Sequence, residues 1–89
     1  MSAARLRDPE EEDRGLQQAI LNHLLDEHPS LLRRSDILRE IPSGLKGWSH
    51  RDAIDRSIAE LTKRRLVDRL QDYVLPTRPA LYCRALSEA

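Results

Sequence analysis

Between Ser49 and Leu75 the chain permits few architectures: an amphipathic helix runs directly into two short strand segments with almost nothing between them. Ser49 is suited to cap this helix, because its hydroxyl can accept a first-turn N–H. Asp52, three residues on, completes a capping-box-like pair and sets negative charge near the positive end of the helix dipole. Ile54, Ile58 and Leu61 follow at spacings of four and three, which puts them on one face. The spacing predicts a helix from His50 to about Arg65. The side away from these apolar residues carries His50, Arg51, Asp55, Arg56, Glu60 and Lys63, all with hydrogen-bonding groups. Leu66–Leu70 and Tyr73–Leu75 read as strands joined around Gln71-Asp72, a turn without the favoured Asn-Gly or Asp-Gly pair.

Two helices are predicted upstream. Asp8-Pro9-Glu10-Glu11 is a start signal, with an Asx cap, proline at the first helical position and acids in the first turn. From Asp13, Leu16, Ala19, Ile20 and Leu24, flanked by Leu21 and Leu25, form a broad apolar stripe that ends near Glu27 or His28, before Pro29. Leu31-Leu32 reads as a bridge or a tiny strand. Ser35 then caps a second helix, Asp36 to Ile41, with Ile37, Leu38 and Ile41 toward the core, and Pro42 ends it. The turn Pro42 to Gly47 is longer than the three or four residues of a tight helix-turn-helix connection. After the strands, Thr77-Arg78-Pro79 restarts a helix whose Leu81, Tyr82, Ala85 and Leu86 share a face. The division expected is a charged tail or helix extension over 1–12 and one folded domain over 13–89.

Charge distribution matters more than total charge. The formal net charge is zero, which counts against simple nucleic-acid binding. From Met1 to His28, however, three Arg stand against seven Asp/Glu, a net of −4, and from Pro29 to Ala89 twelve Lys/Arg stand against eight Asp/Glu, a net of +4. The basic excess thus lies in the part that holds the amphipathic helix and hairpin. The alternative is an acidic first helix on an ordinary mixed surface. One cysteine, Cys83, excludes an intramolecular disulfide framework. No apolar run approaches the ~20 residues of a membrane span, and no basic leader precedes an apolar block. A cytoplasmic protein without membrane attachment is expected.

Catalytic and metal chemistry find little support. His23 and His28 are five apart and do not share a helix face, while His50 and Cys83 are scattered, so no spacing resembles a zinc site. Gly44 and Gly47 lack the lysine-serine ending of a phosphate loop. Asp26 and Glu27 point to different sides. The expectation is a non-enzyme without cofactor or metal.

Geometry favours DNA. A B-form major groove admits one α-helix, whose N-terminal half carries the base-contacting side chains. That half exposes His50, Arg51, Asp55 and Arg56, with Arg51 and Arg56 read as sharing the exposed side. Arg presents two donors to guanine O6 and N7, and Ser49 or free helix-start N–H groups can hold a phosphate. Lys46 precedes the helix, and Arg69 and Gln71 lie at the hairpin tip, where backbone or minor groove would be met. The competing reading makes Arg51–Asp55 and Arg56–Glu60, each spaced by four, surface ion pairs that support the helix.

The order helix, bridge, helix, capped helix, Leu-Val, hairpin is similar to the winged helix-turn-helix domains of small bacterial and archaeal transcriptional regulators. Ala53-Ile54-Asp55-Arg56-Ser57-Ile58-Ala59-Glu60-Leu61-Thr62-Lys63-Arg64-Arg65-Leu66-Val67 resembles their reading helix running into the first wing strand. Val74-Leu75-Pro76-Thr77-Arg78-Pro79-Ala80-Leu81 resembles the exit from the wing into a final helix. Arg65 stands where such domains commonly carry glycine. The resemblance, over about Leu16 to Leu86, implies a mostly α fold with a small β-hairpin: a three-helix core, a wing and a short C-terminal helix. It implies sequence-specific double-stranded DNA binding in transcription regulation. A homodimer through Leu21, Leu25, Leu81, Tyr82 and Leu86 is expected, with the acids of the first helix facing away from DNA. The alternative is a winged-helix protein–protein module in a larger assembly.

Overall fold

The computed structural model describes residues 9–88, so the Asp8 cap and the tail before it lie outside the described residues. The chain runs α1 (Pro9–Glu27), β1 (Leu32–Arg33), α2 (Arg34–Glu40), α3 (Gly47–Lys63), β2 (Val67–Leu70), β3 (Tyr73–Pro76) and α4 (Arg78–Glu88). It is mostly helical, with one small antiparallel sheet in the order β1-β3-β2. The hairpin expected from the sequence is therefore widened by a third strand, in which Leu32 pairs with Val74 and Arg33 with Tyr73. Among the described residues no helix is long and apolar enough to cross a membrane.

The core follows the periodicity. Ile20 and Leu24 of α1, Ile37 of α2 and Ile54, Ile58 and Leu61 of α3 are buried together, and Val67, Val74 and Leu32 close the cluster from the sheet. Leu16 and Leu38 pack against its edge, half-buried. Burying an aliphatic side chain of this size is worth about 1.5–3 kcal/mol. The three helices and the sheet are thus held by one apolar centre.

Helix starts differ from the expected ones. α2 begins at Arg34, not after Ser35, because the Asp36 carboxylate reaches back to accept the Arg33 backbone N–H at 2.9 Å. That takes over the capping role given to Ser35. α3 begins at Gly47, which holds a left-handed φ of +61°, and Ser49 falls inside its first turn while extended Lys46 occupies the cap without a side-chain bond. Glycine reaches that left-handed conformation without steric cost, so the helix starts two residues before Ser49, whose hydroxyl is no longer at the cap.

The end of α3 has an unusual occupant. Arg65 takes a left-handed φ of +64°, its N–H donates to the Thr62 carbonyl, and the Leu66 N–H donates to the Leu61 carbonyl. This pair of bonds is the Schellman ending that glycine usually serves. Thr77 braces the same point: its hydroxyl donates to the Arg65 carbonyl at 2.8 Å and its N–H to the Leu66 carbonyl. The exit from β3 is thereby tied to the exit from α3, and the hairpin is held at the base of the helix. At its tip, Gln71 carries the positive φ of a tight two-residue turn.

Candidate nucleic-acid interface

Trp48, Arg51, Asp52 and Asp55 stand at helical spacings of three, four and seven, so they form one stripe along the first half of α3, opposite the buried Ala53 and Ser57 and flanked on the Arg51 side by buried Ile54 and Ile58. Both carboxylates in this stripe are taken. Asp52 accepts from Arg56 Nη1 at 2.6 Å. Asp55 is clasped by Arg34 of α2, with Nε to Oδ1 at 2.5 Å and Nη2 to Oδ2 at 2.8 Å. Those hydrogen bonds, aided by the charges of Arg34 and Arg69, hold the Asp55 carboxyl below the usual carboxylate range against the opposing effect of burial.

The two ion pairs of the competing reading, Arg51–Asp55 and Arg56–Glu60, do not form, although Arg56 pairs with Asp52 at the same spacing. Asp55 goes to Arg34 instead of Arg51, and Glu60 accepts from Arg64 at 2.8 Å instead of from Arg56. Arg56 turns the other way, placing Nη2 3.3 Å from Asp13 of α1. One sequence expectation is corrected here. Arg51 and Arg56 are both exposed but do not share a side, because five residues of helix rotate a side chain by about 140°. Asp13 of α1 meets α3 through Arg56.

His50 is a strut. Its Nε2 donates to the Leu38 carbonyl at 2.8 Å, which in the neutral ring leaves Nδ1 to accept from the Ser43 hydroxyl at 2.5 Å. The ring therefore ties the end of α2 and the following turn to the start of α3, with neither nitrogen pointing outward. Lys46 and Ser49 are exposed at the mouth of α3.

On the hairpin, Arg69 is exposed and lies opposite Val74, so it occupies the sheet face that turns toward the core and α3. Arg33, Leu70 and Tyr73 occupy the other face. There the Arg33 guanidinium sits 5.3 Å from the Tyr73 ring centroid and donates to its hydroxyl at 3.3 Å. Gln71 is exposed at the tip. Sequence reasoning missed Arg33, Arg34, Tyr73 and Trp48. The Arg33-Arg34 pair just before a helix was the available signal, but its partners lie 21 and 40 residues away.

The five residues expected at a dimer contact divide. Leu21 and Leu25 are half-buried on α1, and Leu21 packs on the chain's own core. Leu81 is half-buried on α4, while Tyr82 and Leu86 are exposed. Arg84 of α4 donates to Asp26 of α1 at 2.5 Å.

No protein-family model, curated protein or solved structure matches the chain.

Proposed function

We propose that the chain is a winged helix-turn-helix domain that binds double-stranded DNA in transcription regulation, with α3 in the major groove and the β2–β3 hairpin on backbone or minor groove. The observation that carries this reading is the α3 stripe. Its two acids are neutralised, Asp55 by Arg34 of α2 and Asp52 by Arg56 one turn further along α3, and among the described residues Arg51 has no internal partner. An acidic helix face repels phosphate, whereas this one offers a free guanidinium beside neutral ion pairs. Lys46 before the helix and Arg69 on the hairpin add exposed positive charge on either side. The zero net charge is then no obstacle, because binding responds to the local field more than to the sum.

A two-fold homodimer through α4, with Tyr82 and Leu86 at its centre, completes the proposal. Two copies supply twice the contacts and call for half-sites about one helical turn apart. The same exposed pair favours a second reading, a protein–protein module in a larger assembly.

Selection from a random-sequence duplex library tests the DNA reading. Enrichment of one motif that contains guanine, and its loss with Arg51→Ala, is the expected result. Recovery of unenriched sequence from the intact chain would favour the protein-module reading.

A further inference from the structure

The stripe on α3 holds one more side chain without a place in the fold. Trp48, the chain's single tryptophan, is 72% exposed in the first turn of the helix. Isolated exposed apolar residues are ordinary; the position of this one is not. It lies one turn before Arg51 on the same face, two residues after Lys46 and at the helix end that meets base edges in a groove-docked helix.

We propose that Trp48 is a specificity-determining residue that reads the 5-methyl group of thymine in the major groove; this rests on the DNA-binding function proposed above. Thymine alone among the bases shows a methyl on the major-groove edge, and apolar contact is how proteins recognise it. Three helical residues separate Trp48 from Arg51, about 4.5 Å along the helix axis. Successive base pairs are about 3.4 Å apart. The recognised half-site therefore carries a thymine one or two base pairs from the guanine read by Arg51. The flat indole covers the methyl and is shielded from water by it, and the neighbouring acids, held by Arg34 and Arg56, do not repel the strand. Leu45, half exposed in the preceding turn, extends the same apolar edge. A protein partner seated on Trp48 is the competing occupant, since exposed tryptophans also anchor protein interfaces.

The test uses the full chain and the duplex recovered by selection, with each thymine replaced in turn by deoxyuridine, which lacks only the methyl. Binding is read twice, by the anisotropy of a labelled duplex and by Trp48 emission. Saturable change in emission is expected. One thymine per half-site should lose roughly fourfold in affinity on replacement, the worth of one methyl-sized apolar group. Trp48→Ala should melt like the parent and show no difference between thymine and deoxyuridine at that position. If anisotropy reports binding while emission stays constant and every replacement is neutral, the inference is overturned and the DNA-binding reading stands. If anisotropy reports no binding of any duplex at low salt, the DNA-binding reading fails and the inference falls with it.

Discussion

Arg34, the first residue of α2, grips Asp55 in the middle of α3 through two parallel hydrogen bonds of 2.5 and 2.8 Å. This fork-to-fork contact is a directional link between the two helices, beside the bond from His50 to the Leu38 carbonyl. It also removes a negative charge from the outer face of α3. One ion pair thus serves both the packing and the proposed binding surface.

The pair is partly open to water, with side-chain exposures of 36% and 44%, so its coupling should be modest. A double-mutant cycle with Arg34→Gln and Asp55→Asn should give about 0.5–1 kcal/mol, weakening with salt. The Asp55 carboxyl is held low, first by the hydrogen bonds from Arg34. Its contribution is therefore complete above the ordinary carboxylate value of about 4 and is lost as pH falls through the depressed one. Urea midpoints followed downward from pH 5 should drop more steeply for the parent than for Asp55→Asn.

Arg65 occupies a left-handed position that costs an L-residue about 1–2 kcal/mol and glycine almost none. Glycine gives part of this back as unfolded-state entropy, so Arg65→Gly should stabilise by roughly 0.5–1 kcal/mol. Arg65→Ala keeps the strain and should show no such gain. Denaturant melts of the two variants check the order.

What the sequence made legible was whatever repeats locally. Ile54, Ile58 and Leu61 announced the buried face of α3, because that pattern is set by the rotation per residue of the helix itself. The starts of α2 and α3 were not legible, because Asp36 takes the capping role expected of Ser35 and the left-handed Gly47 lets α3 begin two residues before Ser49. The site was readable in outline only. Which acid Arg56 meets depends on α1 passing beside α3, and which base Asp55 meets depends on α2 crossing it. No spacing within one helix encodes either. His50 was read as outward because its register is polar, yet its ring closes onto Ser43 and Leu38 of the preceding turn and helix.

Arg51 and Arg56 should separate in function. Arg51→Ala should weaken binding to the selected site by about 1–3 kcal/mol, the worth of a bidentate base contact, and leave the melting temperature unchanged. Arg56→Ala releases Asp13 and Asp52 and should cost stability, with binding reduced through the unmasked Asp52 across all sequences alike. Competition with a mutated site distinguishes the two losses.

For the dimer, Tyr82 and Leu86 sit at helical spacing on the outside of α4, and a charge there would end an apolar contact. Sedimentation at tens of micromolar should show a dimer for the parent and a monomer for Leu86→Glu, the latter with unchanged circular dichroism. A parent that sediments as a monomer removes the dimer and leaves the surface for another partner.

In the proposed complex the outer stripe of α3, between Lys46 and Arg69, meets the phosphates and bases of a duplex. The most direct measurement is the affinity of the full chain for its selected duplex at about 50 and 200 mM salt. Neutralising a few phosphates per copy should lower the affinity roughly ten- to a hundredfold across that interval, through loss of counterion release. Absence of binding at both concentrations, or an affinity indifferent to salt, would rule out a DNA-binding α3.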